Sequence, residues 1–260
     1  MAIDISARMR MFSQDVPYRY VRPVTDKIIF LSCEGRITEE QYFKRMSEVF
    51  SSIKSKIIFV SVKEDVLSIP PKKRTKEQEI YLSKGKFWQL ADKIAQFKQE
   101  KDAEYDFAKH PNDEFWIVAD VDDCWNACYG NKWEQTIDIC KSNGYRYAIS
   151  NPFFELWLLL HHDDAIEADK KYAVTDEHPY EHTDHFRDRL RFLGVPMNDK
   201  AIRAEHYDME NVEKATKRAR LLHKNLSFEM PKALTTTVFS LFDEIFSLSD
   251  EFGNVEENSV

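Results

Sequence analysis

The sequence predicts an α/β fold, a parallel sheet flanked by helices with a helical extension after it, and three observations predict it. Short β-rich runs, KIIFLSC (Lys27–Cys33), KIIFVSV (Lys56–Val62) and EFWIVA (Glu114–Ala119), are apolar on both faces, as strands covered by helices on either side must be. Helical patterns separate them, the alternation that builds a doubly wound layer structure. The composition supports a real core: of 260 residues, 43% are apolar and 13% aromatic, with only 6 Gly and 9 Pro, which excludes collagen-like and low-complexity chains.

The elements follow in chain order. Lys27–Cys33 ends at Glu34-Gly35, where a sharp turn leads straight into a helix. Thr38 with Gln41 three residues later reads as a capping box, and Tyr42, Phe43, Met46, Val49 and Phe50 form the buried stripe. Lys56–Val62 is the second strand. Between it and the third lies an insertion-like stretch, 63–112, which holds PPKKRTK (Pro70–Lys76) and a helix from Lys86 to about Lys101. Asn131–Asn143 is a helix stopped by Gly144, and Tyr145–Ser150 is a fourth strand. Ser150 or Asn151 can cap the next helix with Pro152 at its first position, and seven of the eight residues Phe153–Leu160 are apolar, so that helix is buried. The expected division is therefore an α/β core over 24–162 and a helical subdomain over 163–248 without clear strands. Asp208–Asn225 forms one long helix of that subdomain, and 249–260 is an acidic, frayed tail.

Charge and cysteine content narrow the function. With 37 Lys and Arg against 45 Asp and Glu the net charge is −8, so the chain does not hold bare nucleic acid by bulk charge; any such contact is local or metal-assisted. Four cysteines in 260 residues fit thiols kept reduced, and no apolar run reaches the length of a membrane helix, so a cytoplasmic protein without a membrane partner is expected.

Chemistry is expected at the carboxyl ends of the strands, where side chains from distant parts of the sequence converge. Glu34 follows the first strand, and Asp120, Asp122 and Asp123 follow the third. Carboxylates gathered in one small volume repel each other unless a cation is present, and hard oxygen ligands suit Mg²⁺ or Mn²⁺. Each acid taken alone also reads as a helix cap or turn residue. Glu155 is the one charge in the apolar Phe153–Leu160 helix, on a stripe with Leu158, Leu159 and His162. It is stabilised there by the helix dipole and local amides, or it points to the metal cluster.

At these residues the chain resembles a known family. Cys33-Glu34-Gly35-Arg36-Ile37-Thr38-Glu39 with Gln41-Tyr42-Phe43, the VADVDD segment (Val118–Asp123), and Ser150-Asn151-Pro152-Phe153-Phe154-Glu155-Leu156-Trp157-Leu158-Leu159-Leu160-His161 together look like the RloB family of bacterial proteins, over roughly Lys27 to Asn225. That family belongs to the Toprim group. The resemblance implies a Toprim metal site with Glu34 as general acid or base and metal contact, and with Asp120 and Asp122 as metal ligands. It also implies a nuclease similar to those encoded beside ABC-type ATPases in phage-defence and restriction-linked loci. The insertion over 63–112 is longer and more charged than the family pattern.

Other groups were weighed beside this site. The basic residues Lys72, Lys73 and Arg74, and Lys214, Lys217 and Arg218 on the later helix, are candidates for nucleic-acid contact, although a Pro-led charged loop is usually just solvated. Cys124 and Cys128 have no second pair at zinc spacing. His178, His182 and His185 fall at helical offsets, which suits a solvated helix better than a metal or proton-shuttle face. No GxxxxGK[ST] motif occurs, so any ATPase must come from a partner. Leu241, Phe242, Ile245 and Phe246 form a stripe that a monomer would leave partly exposed, suited to a homodimer or to docking on that ATPase. The expected activity is Mg²⁺-dependent cleavage of DNA or RNA, tRNA included. The alternatives are a non-catalytic Toprim scaffold and a DxD phosphatase, the latter opposed by Cys124 where Thr or Val is needed and by the motif's place on the third strand.

Overall fold

The computed structural model describes residues 27–35, 37–50, 57–61, 71–73, 75–76, 87–121, 131–178, 184–195, 197, 200–224, 226, 229–243 and 246. Arg74, Asp122, Asp123, Cys124, Cys128, His182, Ile245 and the 249–260 tail lie outside them.

Strands β1 (Lys27–Cys33), β2 (Ile57–Ser61), β3 (Glu114–Asp120) and β4 (Arg146–Asn151) form a parallel sheet, and a fifth, β5 (Thr235–Thr236), pairs antiparallel with β4. The order is β2-β1-β3-β4-β5, consistent with a Rossmann-like, Toprim-type α/β fold. Helices α1 (Thr38–Phe50), α2 (Phe87–Tyr105), α3 (Lys132–Asn143), α4 (Phe154–Leu160), α5 (His185–Phe192) and α6 (Met209–His223) surround it. Among the described residues, no helix is long and apolar enough to cross a membrane.

Alternation along the strands divides the core into two layers. Ile28, Phe30, Phe115, Ile117, Ala119 and Ile149 face α2 and α3, where Phe87, Leu90, Ile94, Trp133 and Ile137 meet them. Ile29, Leu31, Trp116, Val118 and Ala148 face the other way, onto Tyr42, Phe43, Met46 and Phe50 of α1 and the apolar α4. Gly144 ends α3 at φ 68°, the left-handed conformation that a residue without Cβ adopts freely.

Three expectations are corrected. The segment after His162 does contain a strand, and β5 is only two residues long, too short to carry a period. Leu241 and Phe242 are fully buried, with Phe242 stacked on Trp157 (ring centroids 5.5 Å apart), so these two residues complete the α1/α4 layer and are not exposed for docking, while Phe246 is partly buried against it. α4 begins at Phe154 after Phe153, because Ser150 and Asn151 are used as sheet residues. The Ser150 hydroxyl pairs with Thr236 at 2.9 Å, and the Asn151 amide donates to the carbonyls of Val174 and Pro231 and accepts from the Val174 N–H.

Candidate functional site

β1 lies between β2 and β3, so the chain leaves β1 toward one neighbour and later returns on its other side. The crevice at such a switch point, outside the carboxyl ends of the strands, is where α/β sheets bind ligands. The register pairs Cys33 with Val118, which sets Glu34 beside the end of β3. The Glu34 N–H donates to the Val118 carbonyl at 2.9 Å, and the Asp120 N–H donates to Glu34 Oε2 at 3.2 Å. The structure thus brings Glu34 and Asp120 together across adjacent strands.

α1 adds an acid that the sequence reading quoted only as part of a motif. Glu39 is 4% exposed, and its Oε1 accepts the Gly35 N–H at 3.0 Å. A Cβ on Gly35 would stand 1.8 Å from Glu39 Oε2, so any side chain there would push this carboxylate from its seat. The capping box is corrected accordingly: Glu39 turns back to Gly35, the Thr38 hydroxyl donates to the Lys200 carbonyl at 2.7 Å, and Gln41 Oε1 accepts the Ile202 N–H at 3.0 Å.

Burial pushes the Glu39 carboxyl up to about 7. The Glu155 charge pushes the same way, while backbone amides and the Lys200 ammonium pull it down. Burial also raises the Cys33 thiol well above its ordinary value, and the charges of Glu39, Glu40 and Asp120 add to it, so this cysteine is no thiolate nucleophile.

Glu155 on α4 is buried but not unpaired. Arg187 from α5 grips its Oε1 with Nε at 2.9 Å and Nη2 at 2.7 Å. Neither alternative for this residue included Arg187: a guanidinium neutralises Glu155, and the Glu155 charge acts on Glu39. Arg187 could not be found from sequence, since the pairing spans 32 residues and two helices. Glu39 carried a legible sign, because it lies three and four residues before Tyr42 and Phe43 on the buried stripe of α1.

The donor chemistry at this strand end is all carboxylate oxygen, which fits Mg²⁺ or Mn²⁺ and not a soft metal. Glu34 and Asp120 would hold such an ion. Burial of Glu39 disfavours its charged form, and a nearby divalent cation would offset that. Among the described residues, no three His, Cys, Asp or Glu side chains cluster closely enough to hold a metal by themselves, and Asp122 and Asp123 lie outside those residues.

The other candidates are dispersed. Lys72 and Lys73 are exposed in a short 3-10 turn (Pro71–Lys73). Lys214 pairs with Glu210 at 2.6 Å and Lys217 is exposed on α6. Arg218 is a structural residue: its Nη1 donates to the Leu160 carbonyl at 2.8 Å and its Nε meets Asp164 at 3.0 Å, satisfying the end of α4. His178 is exposed in a bend. His185 opens α5, with Nε2 2.6 Å from the fully buried Asp169, which also pairs with Arg189 and accepts the Ile166 N–H, so this is a fold-holding network and not a solvated histidine face.

With this geometry in view, comparison with known proteins is informative at one level. The family model described as RloB-like protein matches residues 29–245, most of the chain. The chain therefore belongs to the RloB-like family. No curated protein and no solved structure matches it.

Proposed function

We propose that this member of the RloB-like family is a Mg²⁺- or Mn²⁺-dependent nuclease that hydrolyses phosphodiester bonds in DNA or RNA, tRNA among the RNA candidates. We further propose that it acts in anti-phage defence under the control of a partner ABC-type ATPase. The observation that carries this reading is the contact between Glu34 and the Asp120 amide at the β1/β3 switch point, in a chain whose family match covers both residues.

A bound divalent cation supplies charge stabilisation on a phosphoryl oxygen and a more acidic water. The protein's own residues have definable parts. Asp120 presents its carboxylate at the end of a strand fixed on both sides. Glu34 is oriented by the Asp120 N–H, which donates to one of its oxygens and fixes the carboxylate at the strand end. Glu39, poised near neutrality, can hold or release a proton at the working pH. Arg187 holds Glu155 in place.

The test is purified protein incubated with plasmid and with total tRNA in Mg²⁺ or Mn²⁺, with and without the ATPase from its own locus. Cleavage that stops on chelation supports the reading. Intact substrates in every arm, with the ATPase bound, would favour the non-catalytic scaffold.

A further inference from the structure

We propose that Lys200 is the phosphate-anchoring residue of this site, holding the nucleic-acid backbone beside the carboxylates; the proposal rests on the nuclease reading above. Glu34 beside the end of β3, with buried Glu39 and Glu155 influencing each other nearby, in a chain of net charge −8, repels a polyanion, and metal ligands do not themselves bind the flanking phosphates. A cation outside the ligand set is needed.

Among the described residues, Arg187 and Lys200 act on these acids, and they differ in their engagement. Arg187 is committed to Glu155 and also reaches Asp184 at 3.1 Å. Lys200 is exposed and forms no ion pair with any described residue. Its position is nevertheless set by the fold. The Thr38 hydroxyl, 4% exposed, binds the Lys200 carbonyl, and the Gln41 side chain binds the Ile202 N–H, so the first turn of α1 grips the 200–202 segment on both sides of Ala201. Thr38 is the immediate neighbour of Glu39, and the Lys200 charge is felt at the Glu39 carboxyl. The same turn carries the positive end of a 13-residue helix, which favours an anion at this place. A lysine whose backbone is fixed beside the neighbour of buried Glu39, and which is itself exposed, is placed to reach a phosphate oxygen arriving from solvent.

The experiment measures binding apart from turnover. Fluorescence anisotropy with short single-stranded DNA and RNA oligonucleotides, in EDTA and in Ca²⁺, would be read across salt for wild type, Lys200→Gln and Lys200→Arg, with thermal melting as the folding control. Lys200→Gln is expected to weaken binding by roughly three- to tenfold at low salt and to lower the slope of log affinity against log salt by about 0.7, the share of one phosphate contact. Lys200→Arg should restore both. If wild type binds and cleaves but Lys200→Gln matches it in affinity and slope, the assignment of Lys200 is overturned and the nuclease reading stands. If wild type neither binds nor cleaves any nucleic acid, both fall together.

Discussion

Replacing Arg187 by Met would leave Glu155 as a carboxylate 8% exposed with its guanidinium gone and the Glu39 carboxyl beside it. Breaking a fully buried ion pair costs roughly 3–5 kcal/mol. The Arg187 side chain is 28% exposed and that of Glu155 10%, so solvent screens part of the interaction and about 2–3 kcal/mol is expected. At roughly 2–4 °C per kcal/mol for a chain of this size, the melting temperature should drop by about 4–12 °C. Arg187→Met combined with Glu155→Gln should recover most of the stability, since neither charge is then left alone. Urea denaturation is the assay. A loss under about 0.5 kcal/mol, or a double variant no better than the single one, would refute the claim that Arg187 exists to neutralise Glu155.

Other perturbations test separate parts of the account. Gly35→Ala should displace Glu39 from its seat and weaken Mg²⁺ binding measured by calorimetry while the far-ultraviolet circular dichroism stays unchanged; unchanged metal affinity would show that the close approach of Glu39 is incidental. His161, 1% exposed, accepts from the Tyr42 hydroxyl at Nε2 (3.0 Å) and donates from Nδ1 to the Trp157 carbonyl (2.9 Å), and burial lowers its pKa from 6.5 to about 3. The folded state therefore refuses a proton that the unfolded chain accepts. This stability is fully present above pH 6.5 and declines as pH falls toward 3, by roughly 1.4 kcal/mol per pH unit; an identical pH slope in His161→Gln would contradict it. Phe242→Ala should cost about 3–5 kcal/mol in a single cooperative transition, and a separate early transition would instead mark the C-terminal segment as an independent unit.

Much of this architecture was legible because it is periodic. β1 and α3 match their sequence patterns, and Glu34 and Asp120 could be placed at the carboxyl ends of two strands from the α/β frame, while the adjacency of those strands is set by the sheet order. What was hidden depends on partners distant in sequence. Thr38 and Gln41 look like a capping box, but their side chains hold residues 200–202, and Ser150 and Asn151 look like a cap but hold β5, Val174 and Pro231. The stripe at Leu241 and Phe242 looked unpartnered because its partners, Tyr42, Phe43, Phe50 and Trp157, lie on α1 and α4. Arg218 and His185 were read as surface chemistry for the same reason, since Leu160, Asp164 and Asp169 that engage them are local neither in sequence nor in pattern.

The account turns on whether the β1/β3 strand ends form a divalent-cation site that does chemistry. Asp120→Asn keeps the backbone N–H that orients Glu34 and removes only the charge, so it isolates the electrostatic role from the structural one. Mg²⁺ or Mn²⁺ affinity by calorimetry, and cleavage of plasmid and tRNA by the same preparation, form the decisive paired measurement. The account predicts that Asp120→Asn melts within about 1 kcal/mol of wild type, loses most of its metal affinity and falls in cleavage by at least about a hundredfold. A variant that keeps wild-type metal binding and cleavage would contradict it.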